Sequence, residues 1–198
     1  MRLLALVPLV AVLACDIDSP VAWIYYGDSA ISRGVQHITR LHNCDYVSQA
    51  KGGLQAFAFG PNRQDLFEAE VEKFHDAGKM VNVWLTIGTV DRTFYLHSPG
   101  RVAESIERIM VLMAQRGADQ IFYVTYNDIL VDPGNPFETR QDFVDLIDFD
   151  SRPRFTLIDL RDLNDMIVGV DNFHYSPAEH LIRGGAVHAR ITNWSCKP

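Results

Sequence analysis

The chain has 198 residues, 47% of them hydrophobic and 22% charged, which is enough apolar content to bury a full core and lies outside the composition of a disordered chain. A net charge of -7 counts against nucleic acid or an anionic membrane as partner and leaves a neutral or cationic substrate group compatible. No internal repeat, low-complexity tract or linker divides the sequence, so residues 20–198 are expected to form a single domain.

The N-terminal residues read as an export signal. Met1 and Arg2 give a short positive region, Leu3 to Leu13 an apolar run, and Val12-Leu13-Ala14 a small-residue cleavage site, which sets a signal peptide over residues 1–14. The run falls short of the roughly 20 apolar residues that a spanning helix needs, so no membrane span is expected. Cleavage would leave Cys15 first. Val12-Leu13-Ala14-Cys15 resembles a bacterial lipoprotein box, which would place a lipid anchor on Cys15; the other reading is a plain signal-peptide or N-terminal thiol.

The elements then alternate. The apolar run Val21-Ala22-Trp23-Ile24-Tyr25-Tyr26 reads as a strand ended by Gly27-Asp28-Ser29, and Ile31, Val35, Ile38 and Leu41 follow at helical spacing. Asp45-Tyr46-Val47-Ser48 reads as a second strand, followed by Ala50-Lys51-Gly52-Gly53-Leu54. Phe67, Val71 and Phe74 mark a helix closed by Gly78, and Val102, Ile106, Ile109 and Met113 another closed by Gly117. Strand-like runs follow each of them, Met80 to Ile87 and Gln120 to Thr125. Asp132 to Pro153 is the least regular stretch, with a short helix expected around Phe143 to Ile147; Arg154 to Ile158 reads as a fifth strand. The last helix opens on a capping box, Ser176-Pro177-Ala178-Glu179, and runs toward Ile191. This rhythm implies an α/β fold: a three-layer α/β/α sandwich on a mainly parallel five-stranded sheet, flavodoxin-like, with the loops after the strands gathered at one edge.

Chemistry concentrates at two places. A serine hydroxyl needs a histidine to take its proton and a carboxylate to fix the imidazole tautomer. Ser29, at the end of a strand and the start of a helix, has backbone amides beside it that face a developing oxyanion. Asp171-Asn172-Phe173-His174 offers His174 as base and Asp171 as its orienting acid within one loop. Taken singly, each has a plainer reading: Ser29 as a helix cap, Asp171 as a turn residue, His174 as a surface or core-edge histidine.

The two blocks Tyr26-Gly27-Asp28-Ser29-Ala30-Ile31-Ser32-Arg33-Gly34 and Asp171-Asn172-Phe173-His174 resemble those of the SGNH/GDSL hydrolases. The resemblance implies a serine ester hydrolase with Ser29, His174 and Asp171 as its triad and an oxyanion hole formed by the Ser29 amide and a second-block glycine, Gly53 before Gly52. The third block departs from the family. In Gly88-Thr89-Val90-Asp91, Val90 stands where the family places an oxyanion-binding asparagine, and valine has no side-chain donor. Asn127, in the loop after the next strand, is a substitute donor; its plainer reading is a local turn. The eukaryotic PC-esterase and trichome-birefringence-like branch, which acts on O-acyl groups of glycans, does not rely on that asparagine, and His174-Tyr175 and Asn193-Trp194-Ser195-Cys196 resemble the ends of such domains. The expected substrate is therefore a small-molecule or glycan ester. Transfer of the acyl group to a sugar hydroxyl, and a binding module that has lost activity, are the alternatives.

Other features carry less. Cys44 and Cys196 are the pair left for a disulfide, as an exported domain permits, and Asn193-Trp194-Ser195 is a glycosylation triplet. His37, His42, His75, His97, His180 and His188 form no metal-ligand motif and are read as structural or surface residues, so no metal and no cofactor is expected. Trp23, Tyr25 and Trp84 fall at strand or core positions. A monomer is expected.

Overall fold

The computed structural model describes residues 19–42, 44–126, 141–163 and 174–191. Strands β1 (Val21–Gly27), β2 (Asp45–Ser48), β3 (Met80–Thr86), β4 (Gln120–Val124) and β5 (Phe155–Ile158) form one sheet in the order β2-β1-β3-β4-β5. Every pairing is parallel, so the expected mainly parallel sheet is wholly parallel among the described residues. Helices α1 (Ser29–Ile38), α2 (Pro61–Asp76), α3 (Thr89–Thr93), α4 (Pro99–Gln115) and α5 (Pro177–Arg190) complete the regular structure of the described residues, with single helical turns at Thr39–Leu41, Ala56–Ala58 and Val144–Leu146.

The layers follow from strand alternation. Side chains at successive positions of β1 point to opposite faces. Ala22, Ile24 and Tyr26 enter one core with Phe67 and Val71 of α2 and Val102 and Ile106 of α4. Trp23 and Tyr25 enter the other with Ile31 and Ile38 of α1 and Val187 of α5. Register lines up Tyr25 with Trp84, and Trp84 with Phe122, across three strands of that second face. The Tyr25 and Trp84 ring centroids lie 5.7 Å apart. Trp23, Tyr25 and Trp84 are thus fully buried core residues, as the sequence implied. Each such side chain contributes about 1.5–3 kcal/mol of burial.

Helix ends follow local chemistry. Gly78 and Gly117 adopt positive φ just past α2 and α4. Ser176 caps α5, its hydroxyl accepting from the Glu179 amide while the Glu179 carboxylate accepts from the Ser176 amide. The helix after Ser29 stops earlier than the apolar spacing suggested: Leu41 belongs to a tighter terminal turn. The short helix expected near Phe143 is likewise a single turn, Val144–Leu146.

α1 and α5 pack closely because glycine faces each contact. A Cβ on Gly34 would lie 2.3 Å from His180 Nδ1, and one on Gly184 would lie 2.8 Å from Leu41 Cδ1. Cys44 is disulfide-bonded, and the other cysteines of the chain, Cys15 and Cys196, lie outside the described residues. Among the described residues no helix is long and apolar enough to cross a membrane.

Candidate active site

In this strand order the sheet reverses its winding between β1 and β3, and ligands bind in the crevice beyond the carboxyl ends of those strands. β1 ends at Gly27 and β3 at Thr86, paired in register. The two strands approach so closely there that a Cβ on Gly27 would lie 2.1 Å from the Thr86 carbonyl oxygen, which makes glycine obligatory. The chain then turns sharply into α1. Asp28 is the N-cap residue, its Oδ1 accepting from the Ala30 amide at 3.0 Å, and Ser29 is the first residue of the helix rather than its cap.

Asp28 is held from several sides. The Tyr126 hydroxyl donates to the same Oδ1, and the Asp28 amide donates to the Thr86 carbonyl. Tyr126 is itself fixed by Gln141, whose side chain accepts from the Tyr126 amide at 2.9 Å and donates to its carbonyl at 3.1 Å. Beneath this network Arg183 of α5 is fully buried. Its Nη2 donates to Thr86 Oγ1 and to the Thr125 carbonyl, both at 3.1 Å, and the guanidinium lies 5.6–5.7 Å from the ring centroids of Trp84, Tyr126 and Tyr175. Aromatic faces thus solvate a cation withdrawn from water. Burial pushes the Asp28 carboxyl up to about 6, against the pull of the Tyr126 hydroxyl, the Ala30 amide and the Arg183 charge.

The loops after β2 and β3 complete the edge. Gly53 has φ +71, and a Cβ on Gly52 would lie 3.9 Å from Ser29 Cβ, so the paired glycines run past the serine. After β3, Gly88 takes φ +111, with Ile106 and Phe143 leaving no room for a side chain, and turns the chain into the five-residue helix α3. Asp91 in that helix is buried, and its Oδ2 accepts from the Ala56 amide at 2.9 Å, tying the third-block helix to the loop after β2. Burial raises its carboxyl.

A cavity of about 490 Å³ lies at this edge, a size suited to a small organic substrate. Ser29, Gly52, Gly53, Val90 and His174 line it. Residues far apart in sequence are thereby brought together at the serine that the sequence singled out. Arg33, Phe94 and Tyr95 line it as well, and sequence reading missed all three. Two of them carried a usable signal: Arg33 follows Ser29, and Phe94 follows Val90, by four residues, one helical turn on the same face. Val90 occupies the pocket wall without a side-chain donor. Asp171 and Asn127 lie outside the described residues.

No protein-family model matches the sequence, and no curated protein matches it significantly. Solved structures do. Est24, a carbohydrate acetylesterase from Sinorhizobium meliloti, superposes with a TM-score of 0.63 at 14% identity, covering 86% of this chain and 98% of its own. A family two carbohydrate esterase from Clostridium thermocellum, in complex with cellohexaose, gives 0.62 at 12% identity, over 89% of this chain and 65% of its own. The M. smegmatis aryl esterase gives 0.57 at 13% identity, over 86% and 98%. Strand order and the cavity beyond β1 and β3 define a doubly wound α/β protein of flavodoxin-like topology. Within that class the chain has the α/β fold of the SGNH hydrolases, shared with these esterases.

Proposed function

We propose that this chain is a serine-dependent carboxylic ester hydrolase. The reading is carried by one observation: Ser29, the glycines 52 and 53, and His174, from three separate segments of the chain, line a single cavity at the switch point of the sheet. The fold shared with esterases supports it. Ser29 Oγ attacks the ester carbonyl as His174 takes its proton, and a C–O bond forms to give the tetrahedral intermediate. Asp171, three residues before His174, orients the imidazole. Collapse breaks the bond to the alcohol, which leaves with the proton from His174, and water then repeats the sequence on the acyl-enzyme. The negative oxygen rests on the amides of Ser29 and Gly53, with Asn127 as a further donor.

Ser29 sits at the first position of α1, where the amides of the opening turn have no intrahelical acceptor and face developing negative charge. Asp28 uses its side chain to satisfy the Ala30 amide, leaving the Ser29 amide for the substrate oxygen. Glycan and small-molecule esters both fit the expected substrate range. Export agrees with the Cys44 disulfide, which persists in an oxidising compartment. The second reading, a binding module on the same fold, is favoured by Val90, since one missing oxyanion donor costs about 2.7–4 kcal/mol in transition-state stabilisation.

Hydrolysis of p-nitrophenyl acetate by the mature chain separates the two. Turnover abolished in both Ser29→Ala and His174→Ala is the expected result. Turnover that persists in both variants, or is absent from the parent, removes the hydrolase reading.

A further inference from the structure

The cavity has one wall that the reaction itself does not need. Val90 on the cavity wall is buried, whereas Phe94 and Tyr95, one turn further on, are 50% and 56% exposed, and Leu96 beyond them is 69% exposed with φ +52. Three consecutive large apolar side chains facing water, ending on a left-handed leucine, run against both burial and backbone preference.

The segment is nevertheless held rigidly. The His97 amide donates to the Asp91 carbonyl at 3.1 Å, and the His97 carbonyl accepts from Arg92 Nη1 at 2.7 Å. Arg92 is in turn gripped by Asp142 through paired contacts of 2.7 and 2.6 Å. The Tyr95 and His97 rings stack 14° from parallel with centroids 6.3 Å apart, and His97 is backed by Phe57 edge-on at 4.8 Å. More than half exposed beside this stack, Tyr95 presents ring surface to solvent at the cavity wall.

We propose that Phe94 and Tyr95 form the subsite for the alcohol half of the ester, and that this alcohol is a ring, sugar or aryl, whose flat face lies against theirs. The assignment rests on the serine hydrolase reading. It follows from position: the acyl carbon must reach Ser29 beside Gly52 and Gly53, with the buried Val90 as the closed side of the lining, while the alcohol departs first and lies toward an exposed wall, which Phe94 and Tyr95 supply. A rigid aromatic rim there favours a ring over a flexible chain because neither partner loses rotamer freedom on contact. The C–H face of a sugar and the π face of an aryl group are the two sources of that chemistry.

The test is the ratio of kcat/KM for ring esters to that for an acyclic ester, using phenyl acetate and a monoacetylated methyl glucoside against ethyl acetate. In Tyr95→Ala and in Phe94→Ala the ratio falls about five- to tenfold, the size of one lost aromatic contact. Leu66→Ala, an exposed change on α2, leaves it unmoved. A fall confined to phenyl acetate assigns an aryl alcohol and one confined to the glucoside a sugar; both support the subsite. A ratio unmoved in Tyr95→Ala and Phe94→Ala overturns it. Should no ester be hydrolysed, saturation-transfer NMR of Ser29→Ala with phenol and with methyl glucoside decides the question separately. Ring binding that is lost on adding Tyr95→Ala sustains the subsite without the hydrolase reading, and no binding to the Ser29→Ala protein overturns both.

Discussion

Asp28→Asn should stabilise this protein more at high pH than at low. Burial holds the Asp28 carboxyl at about 6 against an ordinary 3.8. The folded protein therefore binds this proton more tightly than the unfolded chain. Protonation favours the fold, and the favourable contribution, full below 3.8, is lost as pH rises through about 6. At about 1.4 kcal/mol per pH unit the gap amounts to about 3 kcal/mol, the cost of keeping the carboxylate charged at neutral pH. Asparagine is an equally good N-cap, and its Oδ1 can accept from the Ala30 amide and the Tyr126 hydroxyl as the aspartate does. The stability of Asp28→Asn relative to the parent should accordingly grow by about 2–3 kcal/mol from pH 4 to pH 8, read by urea unfolding without reductant. The variant difference is the right quantity because two histidines work the other way. Burial holds His42 and His180 at about 4 against 6.5, so they favour the fold when neutral and lose that contribution as pH falls from 6.5 through 4. A difference that stays constant between the two pH values, or shrinks toward pH 8, refutes the account of Asp28 as a buried, costly carboxylate.

Other outcomes follow from the same contacts. Val90→Asn places a side-chain donor on the cavity wall, and kcat for acetyl esters should rise tenfold or more, up to the roughly 10²–10³ that such a donor supplies; an unchanged kcat means the oxyanion is bound elsewhere. Gly34→Ala drives a methyl group into the buried His180 ring and should cost about 1–3 kcal/mol in unfolding free energy, whereas Gly185→Ala, with open space around it, should cost well under that in the same assay. Gly27→Ala meets the Thr86 carbonyl, which cannot retreat without breaking the pairing of β1 and β3, and soluble folded protein should fall sharply in a thermal-melt comparison with the parent.

Most of the fold was legible because each element carries its own local signal. All the strands but the exposed edge strand β2 are short apolar runs, α2 and α4 repeat apolar residues at helical spacing and end beside glycines, and α5 announces itself with a capping box. Helix α3 was not legible: five residues with no apolar period cannot show one, and what makes them helical is the positive φ of Gly88 and the grip of Asp91 on the loop after β2. The site divides in the same way. Ser29 and the second-block glycines were visible as motifs because each stands in a short local block, with Gly27 and Gly53 held to glycine by a close strand contact and a positive φ. Arg33 and Phe94 were marked only by their four-residue spacing from Ser29 and Val90, and Tyr95 by nothing, because only the sheet order brings the walls of the cavity together. Arg183 is the extreme case. No sequence motif marks it, and its burial among three aromatic rings exists only in the folded chain.

The central claim is that Ser29 is an activated nucleophile. Incubating the protein with a fluorophosphonate and mapping the adduct by peptide mass spectrometry tests it directly, independently of any substrate's identity. The account predicts one adduct, on Ser29, formed at least a hundredfold more slowly in His174→Ala; a chain that stays unmodified, or labels at the same rate without His174, contradicts it.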